Sequence, residues 1–183
     1  DAAQEKFPSA RVMFAPDMAL GNGHLERVGD ASIPIVVLKR EDSEASGQQI
    51  EHAADLLVTD WHWRGFGAAL AWRGMRAPED VSRVIPGLTG PLYELTERGL
   101  DRMAARNVRE AVEILSQGRV VVTDRLHAMV LACLLQIPVF AFDNANGKVG
   151  ALYRDYLHEL PVVVLCASAD AAVAQARSYV AGL

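Results

Sequence analysis

The chain has 183 residues, of which 51% are hydrophobic and 22% are charged. This balance is typical of a folded globular protein and excludes a fully disordered chain, because enough apolar surface is available to offset the entropy of ordering. The formal net charge is −5 and no run of Lys and Arg occurs, so we expect no nucleic-acid partner, since duplex-binding proteins neutralise phosphates with a basic stripe.

Location and redox state are predicted from what the sequence lacks. Its longest apolar run, Ala128–Leu135, is shorter than the roughly 18 residues of a membrane span, and no signal peptide is recognisable, so we expect no membrane span and a cytoplasmic location. Cys133 and Cys166 lie in apolar stretches without metal-ligand spacing, which predicts two buried free thiols and no metal. Because the chain begins at Asp1 rather than Met, we expect a piece of a longer protein.

The first half of the chain gives few clear elements. Arg11–Ala15 predicts a short strand, and the β-branched stretch Ile33–Lys39 predicts a buried one. Gln48–Asp60 is ambiguous between a helix and a helix followed by a strand. Residues 61–90 hold all three tryptophans among several Gly and Pro residues, and two interpretations stay open, core packing or a platform for a sugar ring. The tryptophans are Trp61, Trp63 and Trp72.

From Leu92 onward helices and strands alternate. Leu100–Leu115 has helical spacing, and Gly118 is expected to end that helix in the C′ position. The strands that follow are continuous apolar runs, which favours a parallel sheet covered on both sides. The chain therefore predicts an α/β fold, a Rossmann-like parallel sheet with helices on both faces. The predicted strands are Arg119–Thr123, Pro138–Phe142 and Pro161–Leu165, and the predicted helices are Leu126–Leu135, Val149–Leu157 and one capped by Ser168 that ends at Val180.

Three polar side chains follow the strand Arg119–Thr123 at its carboxyl end, where ligands of parallel sheets bind. Arg125 offers a planar fork for phosphate or carboxylate, and the start of the next helix favours an anion. His127 can exchange a proton near neutral pH. The alternative is structural, with Asp124 capping the helix, Arg125 solvated and His127 at the surface.

A second loop at the same edge strengthens the functional interpretation. Asp143 and Asn144 follow the next strand, and Lys148 opens the helix after it. Arg40 follows Ile33–Lys39 and would reach the same edge, although a solvated charged loop also explains it. The familiar phosphate-loop, dinucleotide and nucleophile-elbow patterns are absent.

The stretch VVVTDRLHAMVLACLLQIPVFAFDNANGK, from Val120 to Lys148, resembles the polysaccharide pyruvyl transferase family. The family's T-D-R-L-H block is present without a gap, and its I-P, D-N and G-K pairs follow in order. Weaker matches are the P-D-M-A segment at residues 16–19 and an R-x-D-x-E segment at residues 40–44.

This resemblance implies a lobe of a two-lobed, glycosyltransferase-B-type enzyme with its active site between the lobes. Residues 1–30 would be the tail of the amino-terminal lobe or an inter-lobe segment. Residues 31–183 would form the carboxy-terminal, Rossmann-like pyruvyl transferase lobe.

The resemblance also implies a reaction. Phosphoenolpyruvate would be the donor, in a site lined by Arg125, Leu126 and His127 with Arg40 as a second cationic contact. Our own hypothesis is that His127 exchanges a proton and that Asp124 or Asp143 orients it. The expected product is a pyruvate ketal on a saccharide of an exopolysaccharide or cell-surface glycan. The acceptor can be lipid-linked, which implies peripheral association with membrane-bound glycan assembly. No cofactor and no metal are expected. Further substrate contacts are expected from Asp143, Asn144 and Lys148.

Two other functions remain open at this point. A nucleotide-sugar glycosyltransferase of similar architecture would use the arginines at the sheet edge for a diphosphate. A single lobe without turnover would have only a binding role.

Overall fold

A computed structural model describes residues 5–11, 18–40, 45–61 and 89–183, together with some residues between 73 and 85. In these parts of the chain five strands form one sheet, with strand order β2-β1-β3-β4-β5 and every neighbouring pair parallel. The strands are β1 (Ile33–Leu38), β2 (Leu56–Thr59), β3 (Gly118–Thr123), β4 (Val139–Phe142) and β5 (Val163–Cys166). The predicted α/β, Rossmann-like parallel sheet is confirmed.

Helices cover both faces of this sheet. Successive strand residues point to opposite faces, so each strand contributes side chains to two cores. On β3, Val121 belongs to one core with the helices before and after the strand, whereas Val120 and Val122 belong to a second core under the last helix. The helices are α1 (Thr89–Ser116), α2 (Leu126–Leu134), α3 (Lys148–Leu152), which continues as a π-helical turn (Tyr153–Leu157), and α4 (Ala169–Ala181). The Ser168 cap is confirmed, since its hydroxyl oxygen accepts the Ala171 N–H at 3.2 Å.

Two predictions about the elements were wrong. Gly118 does not end α1 in a left-handed conformation but begins β3, where an added Cβ would lie 2.7 Å from the Val120 carbonyl oxygen. Close packing, rather than a positive φ, therefore accounts for this glycine. Within Gln48–Asp60 the strand forms but the helix does not, because residues 48–53 run irregularly into β2. The predicted strand Arg11–Ala15 falls almost wholly outside the described residues.

The segment before β1 packs on the same body as the sheet. A 3-10 helix (Met18–Asn22) places Ala19 and Leu20 against the core under α2. The Leu25 N–H donates to the Leu134 carbonyl at 2.8 Å, and the Val28 N–H donates to the Ser116 hydroxyl at 3.0 Å. Residues on the amino-terminal side of the predicted boundary at residue 30 thus contact α1 and α2.

Both cysteines are free thiols, with Cys166 buried and Cys133 partly buried. Burial raises the pKa of Cys133 to about 12, which disfavours the reactive thiolate. No helix in the described part of the chain is long and apolar enough to cross a membrane.

Candidate active site

A cavity of about 480 Å³ lies at the carboxyl edge of the sheet, and we call it the rim cavity. The strand order reverses between β1 and β3, which is where parallel sheets of this type bind ligands. Residues that follow β1, β2, β3 and β4 converge on it. The lining residues are Arg40, Trp61, Arg125, Leu126, His127, Asn144 and Lys148. The structure therefore brings together most of the side chains that the sequence singled out.

The first two residues of the T-D-R-L-H block hold the frame of the cavity. The Thr123 hydroxyl donates to the Leu38 carbonyl at 2.6 Å and accepts the Arg125 N–H at 3.0 Å. The buried Asp124 accepts the backbone N–H of Arg40 at 2.8 Å through Oδ1. These contacts join the ends of β1 and β3, so the side chains of residues 40 and 125 start from fixed backbone positions.

Asp124 is a buried carboxylate beneath the cavity and is not among its lining residues. Burial raises the pKa of this carboxyl group, and the backbone N–H of Arg40 opposes the rise. The contact with the Arg40 amide supports a structural role for Asp124. The predicted role in orienting His127 stays a prediction.

Arg125 is held by two residues that sequence reasoning did not assign to it. Its Nη2 forms an ion pair with the carboxylate of Asp60, and both side chains are nearly buried. The guanidinium carbon lies 6.0 Å from the centroid of the Trp61 ring. Both partners follow β2, whose position was ambiguous in the sequence, and no signal in residues 48–61 pointed to Arg125.

The loop after β4 holds Asp143 and Asn144, which were predicted together as site residues but make different contacts. The Asn144 side chain is buried, accepts the N–H groups of Asn146 and Lys148 at 3.2 and 3.4 Å, and lines the cavity. Its Nδ2 is buried and has no hydrogen-bond partner among the described residues. Asp143 accepts the Gly150 N–H at 3.2 Å and is not among the lining residues.

The sequence itself carries a family pattern over most of this region. The profile of the family described as polysaccharide pyruvyl transferase matches residues 2–146. The chain belongs to this family. The match includes β1, β3 and β4 with the loops that carry Arg40, Arg125 and Asn144.

Two curated proteins are similar to parts of this family member. Pyruvyl transferase 1 of Schizosaccharomyces pombe (strain 972) is 28% identical over 151 residues, which cover 80% of this chain and 34% of that protein. General stress protein 30 of Bacillus subtilis (strain 168) is 34% identical over 55 residues, which cover 30% of this chain and 16% of that protein. The aligned chain thus spans about a third or less of the length of these relatives.

A second cavity of about 310 Å³ adjoins the rim cavity of this pyruvyl transferase family member and shares Trp61 and His127 with it. Apolar side chains of α1 and α2 form most of its wall, with Asn107 and Glu110 beside them. The apolar residues are Val108, Ala111, Ile114 and Leu131. Trp61 is therefore a wall between two cavities rather than a core residue, while Trp63 and Trp72 lie outside the described residues.

Proposed function

We propose that the rim cavity binds phosphoenolpyruvate and that the family member transfers its enolpyruvyl group to a pair of sugar hydroxyls. One observation carries this proposal: Arg40, Arg125 and Lys148 follow three different strands and line the same cavity as His127. A donor with two anionic groups needs cations from more than one side, and a proton-exchanging group must lie beside it.

The cavity suits the charge of this donor. Phosphoenolpyruvate carries a phosphate and a carboxylate, and a planar guanidinium can form two parallel hydrogen bonds with either group. Asp60 neutralises part of the positive charge of Arg125, and Arg40 and Lys148 bring two further cations to the cavity. The first turn of α2 starts at the cavity with Leu126 and adds the positive end of a helix dipole.

The reaction requires one proton on carbon and the loss of phosphate. Protonation of the methylene carbon makes the central carbon cation-like, and a sugar hydroxyl attacks that carbon. The carbon–oxygen bond to phosphate then breaks, and phosphate leaves with one hydroxyl proton. The second hydroxyl closes the ketal, and its proton restores the acid that protonated the methylene carbon. We assign one of these proton transfers to His127, which is exposed at the border of the two cavities.

The wider setting follows from the family and is part of the same proposal. The acceptor is a saccharide of an exopolysaccharide or cell-surface glycan, including lipid-linked forms, and the reaction takes place in the cytoplasm. A second lobe closes the site and supplies the remaining acceptor contacts, as in a glycosyltransferase-B-type arrangement. Neither metal nor cofactor is needed for the steps above.

The donor site is tested by thermal unfolding with and without millimolar phosphoenolpyruvate. A ligand that binds only the native state raises Tm. At a hundredfold excess over Kd it adds about 2.7 kcal/mol to the free energy of unfolding. We expect a rise for the intact two-lobed protein and no rise for its Arg125→Ala variant. Arg98→Ala is the matched control, because Arg98 lies on α1 and pairs with Glu94 at an exposed position.

Three outcomes would contradict this assignment. Equal shifts for the wild type and Arg125→Ala would remove Arg125 from the donor site. The absence of a wild-type shift would place the donor elsewhere. A larger shift with a nucleoside diphosphate sugar than with phosphoenolpyruvate would favour a glycosyltransferase.

A further inference from the structure

An acidic side chain pairs with an arginine that lines the cavity assigned to an anionic donor. Asp60 immediately follows β2, and its Oδ1 accepts the backbone N–H of Trp61 at 2.7 Å. The backbone there is fixed as well, because the Thr59 carbonyl accepts the Lys39 N–H at 2.9 Å from the neighbouring strand. The carboxylate of Asp60 therefore has a defined position and orientation before any ligand binds.

This carboxylate holds the arginine that faces the donor. The ion pair between Asp60 and Arg125 leaves only 10% of the acidic side chain and 13% of the arginine side chain exposed. Little solvent is present to screen the pair, so the geometry is maintained more strongly than in a surface ion pair. The Trp61 ring beside the guanidinium restricts it from a second direction.

By charge alone Asp60 should weaken the binding of any anion. Orientation acts in the opposite sense, because a long side chain loses much conformational freedom when it is fixed by a ligand, and a side chain already fixed loses less. A guanidinium has five N–H donors, more than one carboxylate can accept, so the pair with Asp60 does not exhaust its capacity for a phosphate or carboxylate.

We propose that Asp60 is a positioning residue for the donor site, which orients the guanidinium of Arg125 toward the rim cavity and so favours binding of a phosphate-bearing carboxylic acid. This inference rests on the proposed function. It requires that the loss of orientation outweighs the gain in net positive charge when the carboxylate is removed.

The test measures Kd for phosphoenolpyruvate by calorimetry well below Tm, so that a loss of stability alone does not change the result. We expect Asp60→Ala to weaken binding about tenfold, the size of one newly immobilised side chain. Asp60→Asn keeps an oxygen acceptor for the arginine and should stay within about threefold of the wild type. If the Ala variant does not fold, Asp60→Glu replaces it, since an extra methylene displaces the carboxylate and should also weaken binding.

The matched control is Asp55→Ala. Asp55 lies just before the same strand and pairs with Arg177 through two hydrogen bonds of 2.7 and 3.0 Å, at the opposite end of the sheet. This variant removes an ion pair of the same type without touching the rim cavity, so its Kd should equal that of the wild type.

A double-mutant cycle shows whether Asp60 acts through Arg125. Arg125→Lys keeps a cation but not the fork, so adding Asp60→Ala to it should weaken binding by less than about twofold. Unchanged or tighter binding by Asp60→Ala or its Glu replacement would overturn the inference, as would a full tenfold effect in the Lys background. Both results are compatible with the proposed donor site in the rim cavity. Equal thermal shifts for the wild type and Arg125→Ala would instead contradict the proposed donor site.

Discussion

The two ends of the sheet bury different kinds of groups. At the carboxyl ends of the strands, Asp60, Asp124 and Arg125 are charged and nearly or fully buried. At the amino ends the ion pair of Asp55 with Arg177 is more exposed, and backbone contacts such as the N–H of Ile33 on the Gln117 carbonyl at 2.9 Å join the elements. Burying charge is costly unless each group is paired, whereas neutral packing and backbone hydrogen bonds stabilise the fold directly. We infer that one end serves binding and the other serves stability.

The largest effect that separates these ends is expected for His127→Gln. If the imidazole exchanges a proton with the donor, turnover should fall by about a hundredfold or more, while Tm changes little because the side chain is exposed. The assay is phosphate release from phosphoenolpyruvate with saccharide acceptors. His158→Gln is the control, since His158 is also exposed but lies after α3. Full activity of His127→Gln would assign this residue a structural role only.

For Gly118→Ala, at the amino end of β3, we expect the opposite result: a loss of stability with unchanged ligand binding. Its new Cβ would lie 2.9 Å from Val36 Cγ2 as well as 2.7 Å from the Val120 carbonyl oxygen, so the strands must shift. Overpacking of this kind costs about 1–3 kcal/mol of unfolding free energy. Urea unfolding should show the loss, while Kd for phosphoenolpyruvate stays at the wild-type value.

Gly90→Ala provides the comparison for that measurement. Gly90 lies in the first turn of α1 and an added Cβ meets nothing within 4 Å, so its effect should stay within about 0.5 kcal/mol. Equal stability losses for the two variants would contradict the packing argument, and weaker ligand binding by Gly118→Ala would show that the two ends are not independent.

The sequence predicted the fold best where the pattern was local and strong. The apolar stretches at β3, β4 and β5 are short, bounded by turns and separated by helices, so period and length both pointed to buried strands. The helix expected in Gln48–Asp60 did not form, because side-chain contacts with distant elements hold that segment. The Gln48 side chain, for example, accepts the Ala169 N–H at 2.6 Å across the sheet.

The candidate site shows the same limit. Arg125 and His127 were found because they follow a clear strand, and Arg40 because the family pattern includes it. Asp60 was missed because its partner is 65 positions away in sequence, and only the parallel pairing of β2, β1 and β3 brings them together. A one-dimensional pattern does not reveal which strand ends meet, so long-range ion pairs stay hidden until the strand order is known.

The smallest expected effect is a difference in the pH dependence of stability between variants of two aspartates at opposite ends of the sheet. Burial raises the pKa of Asp124 above its ordinary value of 3.8. The stabilising contribution of this group is therefore complete below that value and is lost as the pH rises through the pKa of the folded state. The hydrogen bond from Arg177 lowers the pKa of Asp55, so stability from that group is present at neutral pH and lost as the pH falls below 3.8.

We therefore expect opposite signs for Asp124→Asn and Asp55→Asn. Relative to the wild type, Asp124→Asn should have a larger free energy of unfolding at pH 7 than near pH 4. Asp55→Asn should have a smaller free energy of unfolding, relative to the wild type, at pH 7 than at low pH. Urea unfolding of the three proteins across this range gives the differences, in which titrations common to all of them cancel. The same sign for both variants would contradict the division of the sheet into a binding end and a stabilising end. It would mean that the buried Asp124 is compensated as fully as the partly exposed Asp55.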